Sequence, residues 1–291
     1  MVNESPQSPQ SPQGTGTPRR RPRMTRRGWL ALGAGLLAVV AAAVLVPLLL
    51  REPPAPPPPE KPTMLLIPEG WRAGQVYDAA DQALKVPPGT TRQIAESGKL
   101  KLPADAQGNP EGFLFPATYP VYEKTTPRGL LDYMVRTAHE RFRADGLGAG
   151  TQRNGVSLYQ TVTIASIVQA EADTPEDMGK VARVIHNRLA QGMALQMDST
   201  LNYGLGRSTL DTSHADTRMD NPYNTYNRQG LPPTPIANPG EQAMRAAVAP
   251  PPGDWLYFVT VQPGDTRFTA DYQEHQRNVR EFNEYRASAP N

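Results

Sequence analysis

The segment from Thr163 to Gly206 contains a carboxylic acid where the helical pattern predicts an apolar side chain. Ile164, Ile167, Val168 and Glu171 are spaced i, i+3, i+4 and i+7, so Glu171 continues the apolar stripe of an amphipathic helix. A carboxyl group held partly out of water has a raised pKa, because burial disfavours its ionised form. The pattern therefore indicates a general acid. The alternative is a glutamate that ends the helix and points into water.

A second helix is predicted directly after Glu171. Thr174 is a typical N-cap residue, and Pro175 suits the first helical position. Glu176 and Asp177 then place negative charge in the first turn, where the helix dipole favours it. The two helices meet at a corner beside Glu171, where a concave site can form.

A long uncharged run near the N-terminus predicts a membrane span. Residues 28–50 are 23 residues without a charge, long enough at about 1.5 Å per residue to cross a bilayer. A cleaved signal peptide is the alternative, but the run is about twice as long as an ordinary signal-peptide core, and no small-x-small cleavage site leads into Arg51. We therefore expect an uncleaved transmembrane helix. Six arginines precede it, so the positive-inside rule places the N-terminus in the cytoplasm and the rest of the chain outside.

The segments on either side of this run have compositions that do not support a packed core. Residues 1–27 are rich in Ser, Pro, Gln and Arg, which predicts a disordered basic tail in the cytoplasm. Residues 51–63 are rich in proline and predict a polyproline II linker.

The remainder predicts an α+β fold in two parts. Residues 64–150 contain a short strand, helical segments and an aromatic stretch, and they are expected to form a small α+β domain. Residues 151–291 open with the helix that carries Glu171 and close with a strand pair and a last helix, which predicts a second α+β domain. A glycine-rich segment over 145–155 indicates the boundary.

The aromatic stretch from Asn109 to Tyr122 admits two interpretations. Phe113, Phe115, Tyr119 and Tyr122 lie within fourteen residues that also contain three prolines. Aromatic residues at this density more often form core, so we expect them to be buried. The alternative is a platform on which sugars stack.

Charge and composition exclude several function classes. The chain has 30 Lys and Arg and 28 Asp and Glu, but six of the basic residues and one acidic residue lie in the first 50, which leaves 24 basic and 27 acidic residues afterwards. The folded part therefore has no charge pattern for binding nucleic acid. The chain has no cysteine, which excludes disulfides and thiolate chemistry. Its four histidines are widely spaced, so we expect no metal site and no cofactor.

Several motifs together resemble one family. They are A-S-I-V-Q-A-E-A, V-I-H-N-R-L, L-Q-M-D-S-T-L-N-Y-G-L-G, Y-N-T-Y, G-L-P-P-T-P-I-A-N-P-G and T-A-D-Y-Q-E-H-Q-R-N-V. In order and spacing they are similar to the endolytic murein transglycosylase family, also called YceG-like. The resemblance implies a cytoplasmic tail, one span over 28–50, a LysM-like subdomain over 64–150 and a catalytic domain over 151–291. It places the chain in the bacterial cell membrane as a single-pass protein facing the cell wall.

The resemblance also implies a chemistry. The family's catalytic glutamate corresponds to Glu171, which would cleave the β-1,4 bond between N-acetylmuramic acid and N-acetylglucosamine without water and leave 1,6-anhydro ends. The chain departs from the family at Gln169 and Ala117, where relatives commonly have acids. We expect the substrate to be contacted by polar residues of the later motifs, namely Gln196, Asp198, Tyr203, Asn224 and Tyr226.

Two other functions remain open on the sequence. Asp198 is the one further acid in the motif segments that could serve as a second catalytic carboxylate, as a water-using muramidase requires. The chain could instead be a peptidoglycan-binding scaffold without activity, in which Glu171 is structural. The expected partners are peptidoglycan glycan strands and, by resemblance, cell-wall synthases of the elongation or division machinery. No nucleic acid is expected.

Overall fold

The computed structural model describes residues 25–49, 60–144, 155–208 and 212–288. Within these ranges the chain is α+β, with helices and two small antiparallel sheets. Residues 1–59 and 60–291 form two separate units. The predicted domain boundary at 145–155 lies almost entirely outside the described residues, as do most of the predicted tail and linker.

The transmembrane prediction over 28–50 is wrong. Helix α1 (Arg26–Leu49) occupies this region, but none of the helices in the described ranges has the length and apolar content that a span requires. The prediction of a single-pass protein in the bacterial cell membrane, with its assignment of cytoplasmic and outer sides, is overturned by the same finding. Nine of the 23 uncharged residues are glycine or alanine, which contribute much less apolar surface than leucine.

The first part of residues 60–291 is built on a two-stranded sheet. Strands β1 (Thr63–Leu66) and β2 (Thr118–Val121) are antiparallel, with Leu65 opposite Tyr119, and both of these side chains are buried. The helices that complete this core are α2 (Ala73–Leu84), α3 (Thr90–Glu96) and α4 (Pro127–Ala144).

The second part surrounds helix α5 (Leu158–Glu171). From Tyr159 to Val168 every residue except Gln160 is buried, because neighbouring helices cover α5 on several sides. These neighbours are α6 (Pro175–Ala190), α7 (Asp198–Gly204) and α8 (Glu241–Val248). Strands β3 (Tyr257–Gln262) and β4 (Asp265–Thr269) form the second antiparallel sheet, and the last helix, α9 (Tyr272–Ser288), packs against them.

The N-terminal ends of helices α5 and α6 are determined by local sequence. Ser157 accepts a hydrogen bond from the backbone N–H of Gln160, whose side chain in turn accepts from the backbone N–H of Ser157, so α5 begins with a capping box. The Thr174 hydroxyl accepts from the backbone N–H of Asp177, and Pro175 is the first residue of α6. The predicted cap and first turn of α6 are therefore confirmed.

The aromatic stretch joins the two parts of residues 60–291. Phe113 and Phe115 belong to the core around α5, whereas Leu114 between them belongs to the core of the first part. Phe113 stacks on Tyr159, with ring centroids 6.1 Å apart and an interplanar angle of 9°. The expectation that these aromatic residues are core is confirmed for Phe113, Phe115 and Tyr119, which are buried, and is wrong for Tyr122, which is 43% exposed.

Gly112 is required by this connection. It adopts a φ of +85°, and a Cβ at this position would lie 2.7 Å from side-chain atoms of both Val162 and Pro235. Any larger residue would therefore suffer both left-handed strain and a clash.

Candidate active site

Glu171 is the last residue of α5 and is only partly exposed. Its Oε1 atom accepts a hydrogen bond of 2.6 Å from Ser199 Oγ and a longer one of 3.4 Å from the backbone N–H of Ser199. Ser199 lies in the first turn of α7. The carboxyl group is therefore fixed by one neighbour, and the described residues place no hydrogen-bond donor on its Oε2 atom.

The surroundings of Glu171 favour its protonated form. Burial is the largest influence and raises the pKa of Glu171 above its ordinary value. The hydrogen bond from the Ser199 hydroxyl opposes this rise in pKa, and the negative charge of Asp198 adds to it. The group can thus hold a proton at a higher pH than an exposed glutamate.

Glu171 faces a groove of about 480 Å³. One wall comes from the segment around the start of α7 and carries Gln196 and Asp198. The opposite wall comes from β3 and α9 and carries Phe258, Thr260 and His275, among other residues. The groove therefore combines carboxyl, amide, hydroxyl and aromatic groups, as a site for a polar ligand with apolar faces does.

Three of the five predicted substrate-binding residues line this groove: Gln196, Asp198 and Tyr226. The Tyr226 hydroxyl donates a 2.6 Å hydrogen bond to Asp198 Oδ1. Burial, followed by this hydrogen bond, raises the pKa of Tyr226, so the phenol keeps the proton that it donates. The pair fixes the orientation of the Asp198 carboxylate.

Gln196 has a strained backbone at the edge of the groove. Its φ is +51°, a left-handed conformation that residues other than glycine seldom adopt. The backbone N–H of Gln196 donates to the Thr225 carbonyl at 2.9 Å, which holds the residue in this conformation, and its side chain is exposed.

The structure does not bring the other two predicted residues to the groove. Asn224 is completely buried, and its side-chain amide donates to the carbonyls of Thr217 and Met219. Tyr203 lines a different cavity, where its hydroxyl donates a 3.0 Å hydrogen bond to Glu111 Oε2.

Sequence reasoning missed two cationic or titratable residues of the groove. Arg188 is buried, and its guanidinium donates to the carbonyls of Leu195 and Leu256 at 2.6 Å, so it ties the groove's two walls together. His275 stacks on Tyr257 with centroids 5.1 Å apart. Burial, with a further contribution from the Arg188 charge, lowers the pKa of His275.

A signal for these residues was present in the motifs. Arg188 lies within V-I-H-N-R-L, Ser199 within L-Q-M-D-S-T, and His275 within D-Y-Q-E-H-Q. Neither the pattern of acids nor metal-ligand spacing distinguishes these three residues within their motifs. In the described ranges no three His, Asp or Glu side chains are grouped as a metal site.

Comparison with known proteins assigns the chain to a family. A sequence model of the YceG-like family matches residues 41–281, which is well over half of the chain. The chain belongs to the YceG-like family.

Two relatives carry the name endolytic murein transglycosylase. The Bacillus subtilis (strain 168) protein is 36% identical over 171 residues, which cover 57% of this chain and 46% of the relative. The Streptococcus pneumoniae (serotype 2 strain D39) protein is 33% identical over 177 residues, which cover 59% of this chain and 32% of the relative. The chain thus spans less than half the length of these relatives.

A solved structure shares the fold. The crystal structure of a YceG-like protein from Listeria monocytogenes matches with a TM-score of 0.64 and 29% sequence identity, covering 74% of this chain and 75% of that one.

Gln169 and Ala117, where the resemblance implies acids in relatives, make structural contacts in this YceG-like chain. The Gln169 side-chain oxygen accepts a 2.9 Å hydrogen bond from the backbone N–H of Gly240, the N-cap of α8. Ala117 packs against both cores, and its carbonyl accepts from the Ile67 N–H. Neither position needs a carboxylate for these contacts.

Proposed function

We propose that this protein is a peptidoglycan lytic transglycosylase in which Glu171 is the general acid and then the general base. The observation that carries the proposal is the partly buried Glu171 carboxyl group, with its raised pKa, facing a groove of polar and aromatic residues. The names of the family relatives support the same substrate class.

One carboxyl group is sufficient for this reaction. Protonated Glu171 donates its proton to the glycosidic oxygen as the bond to the muramic acid C1 breaks, and N-acetylglucosamine leaves with a free hydroxyl. The ionised carboxylate then removes the proton from the muramic acid 6-hydroxyl as that oxygen bonds to C1. A 1,6-anhydro ring forms, no water is consumed, and Glu171 is protonated again.

Ser199 suits both halves of this cycle. It donates to Oε1 and leaves Oε2 to carry the proton towards the substrate. After the first proton transfer its hydrogen bond stabilises the carboxylate, because a donor favours the charged form.

Asp198 and Tyr226 are proposed to position the sugar. Their 2.6 Å hydrogen bond holds the carboxylate at the groove, where its negative charge can stabilise the positive charge that develops at C1. The exposed amide of Gln196 is proposed to contact an N-acetyl or hydroxyl group.

A second function, hydrolysis by a muramidase mechanism, is favoured by one observation. Asp198 lines the same groove as Glu171, so two carboxyl groups are available, as ordinary glycoside hydrolases require. The two reactions differ in their products, because only hydrolysis adds water.

A digest of uncrosslinked glycan polymer by the full chain tests the proposal, with products identified by mass spectrometry. Transglycosylation predicts internal cuts whose new ends are 1,6-anhydro and therefore one water lighter than reducing ends. Reducing ends would establish hydrolysis instead. Binding of the polymer without cleavage would refute both enzymatic functions and leave a glycan-binding scaffold.

A further inference from the structure

A second cavity, of about 690 Å³, lies away from the Glu171 groove at the start of helix α2. Its walls include the side chains of Arg72, Tyr77, Arg92 and Tyr203, and the buried Glu111 lies among them. None of the residues that line it lines the groove. We call it the Arg72–Arg92 pocket.

Both arginines of this pocket rest on tyrosine rings. The Arg72 guanidinium carbon lies 5.0 Å from the ring centroid of Tyr203, and that of Arg92 lies 5.4 Å from the ring centroid of Tyr77. Within the described ranges, neither guanidinium donates a hydrogen bond or forms a salt bridge. The N–H groups of both guanidinium groups are therefore available to a ligand, while the tyrosine rings hold the guanidinium planes in position.

Other arginines of the fold differ in this respect. Arg183 donates to the carbonyls of Pro250 and Pro251, and Arg188 donates to those of Leu195 and Leu256. These guanidinium groups are occupied by the protein itself.

Glu111 interacts electrostatically with Arg72, but neither acid of the pocket, Glu96 or Glu111, forms a salt bridge with Arg72 or Arg92. Glu111 uses its oxygens to accept from the backbone N–H of Ala73, the Tyr203 hydroxyl and the Asn238 amide. Burial raises the pKa of Glu111 to about 7, so near neutral pH it carries only part of a charge. Glu96 is exposed and makes no salt bridge to either arginine.

Helix α7 links this pocket to the groove. Ser199, which holds Glu171, and Tyr203, which forms a wall of the pocket, are four residues apart on one face of α7, about 6 Å along its axis. The groove and the pocket therefore lie at the two ends of one short helix.

We propose that the Arg72–Arg92 pocket binds a carboxylate of the stem peptide that is attached to the glycan. This inference rests on the proposed function, because it takes its ligand from peptidoglycan. Two unpaired guanidinium groups match the planar, bidentate geometry of a carboxylate. A bare neutral sugar chain offers them no such partner.

Calorimetric titration of the full chain with a soluble stem peptide tests the inference. The probes are the peptide with free carboxylates and the same peptide with its carboxylates converted to amides. The acid form should bind at least about tenfold more tightly, because only its carboxylate can form a charge-assisted hydrogen bond with the arginines. Equal affinity of the two forms would overturn the proposal.

Arginine variants locate the binding. The double variant Arg72→Gln and Arg92→Gln should weaken binding of the acid peptide about tenfold or more and should leave the amide form nearly unaffected. The matched control is Arg136→Gln, because Arg136 also lies over a tyrosine ring, that of Tyr133, outside the pocket. An equal loss with Arg136→Gln, or no loss with the double variant, would overturn the assignment to this pocket.

Two further arms complete the experiment. Arg72→Lys with Arg92→Lys keeps the charge but not the fork geometry and should give intermediate affinity; full affinity would overturn the bidentate assignment. Inorganic phosphate that displaces the peptide at a lower concentration than acetate does, at equal ionic strength, would overturn the carboxylate assignment. Peptide binding needs no cleavage, so failure of the glycan digest and failure of this inference are seen separately.

Discussion

Ser199 and Tyr203 lie one turn apart on helix α7 and donate hydroxyl hydrogen bonds to two different glutamates. Ser199 Oγ donates to Glu171 at 2.6 Å, and Tyr203 Oη donates to Glu111 at 3.0 Å. Glu171 ends a helix of the second part of the fold, whereas Glu111 lies in the aromatic stretch that joins the two parts. A displacement of this seven-residue helix therefore changes the surroundings of both carboxyl groups together.

Glu171→Gln should reduce kcat on glycan polymer about a thousandfold or more, because the amide keeps the shape but cannot transfer the proton. The release of new glycan ends measures this. Glu176→Gln is the matched control, since it makes the same substitution at an exposed carboxyl group five residues later, and it should retain full activity. Normal turnover by Glu171→Gln would exclude Glu171 as the proton donor.

Ser199→Ala should move the alkaline limb of the pH profile of kcat/KM to higher pH. The lost hydrogen bond lowers the pKa of Glu171 in the wild type, so without it the glutamate keeps its proton to a higher pH. Ser199→Thr retains the hydroxyl and serves as control. A limb that moves to lower pH would contradict this role of Ser199.

Asp198→Asn should move the same limb to lower pH, because the charge of Asp198 raises the pKa of Glu171. If Asp198 only positions the sugar, Asp198→Asn should lower kcat about tenfold. A loss of about a thousandfold at every pH would identify Asp198 as a second catalytic carboxylate instead. Tyr226→Phe, which removes the hydrogen bond to Asp198 but keeps the charge, separates orientation from electrostatics.

Glu111 should make the protein less stable as the pH rises from about 4.5 to about 7. In that interval the unfolded chain has released the proton, while the buried group, with its pKa raised from 4.5 to about 7, still holds it. The free energy of unfolding therefore falls by roughly 3 kcal/mol across the interval and is constant again above it.

Urea unfolding at a series of pH values measures this effect. Glu111→Gln should remove the fall that Glu111 causes, although the variant is less stable at low pH through its altered hydrogen bonds. Glu176→Gln, at an exposed group, should keep the wild-type slope between these pH values. An unchanged slope in Glu111→Gln would show that Glu111 is ionised throughout.

Gly112→Ala should lower the free energy of unfolding by about 3 kcal/mol, through left-handed strain and the clash with Val162 and Pro235. Gly108 offers a matched control. It has the same φ of +85°, but its nearest neighbour, the Cα of Gly98, is 3.9 Å away. Gly108→Ala should therefore cost only about 1 kcal/mol, and equal losses at the two positions in urea unfolding would contradict the packing argument.

Local sequence predicted the elements whose signals are local. The cap of Thr174 and the proline after it gave the start of α6, and the strand pair and last helix predicted for the end of the chain are present as β3, β4 and α9. Helix α7 was not predicted, because seven residues provide too little periodicity. The prediction of a membrane span is wrong because an uncharged stretch of sufficient length does not by itself have the apolar content that a span requires.

The candidate site was only partly predictable for a similar reason. Glu171 could be found because its helix places an acid on an apolar stripe. The distribution of the other candidates depends on contacts between distant residues: Tyr203 bonds to Glu111, 92 residues earlier, and Tyr226 bonds to Asp198, 28 residues earlier. No pattern within one segment distinguishes Tyr203, which lies in another cavity, from Tyr226, which lies in the groove.

The alternation of Phe113, Leu114 and Phe115 between two cores limits how the chain can be shortened. A fragment that begins near Leu158 would leave Tyr159 without the ring that stacks on it, and a fragment that ends near Phe142 would leave Phe113 and Phe115 without most of the core they enter. The smallest recombinant fragment that keeps both cores covered therefore starts near Glu60 and retains both parts of the fold.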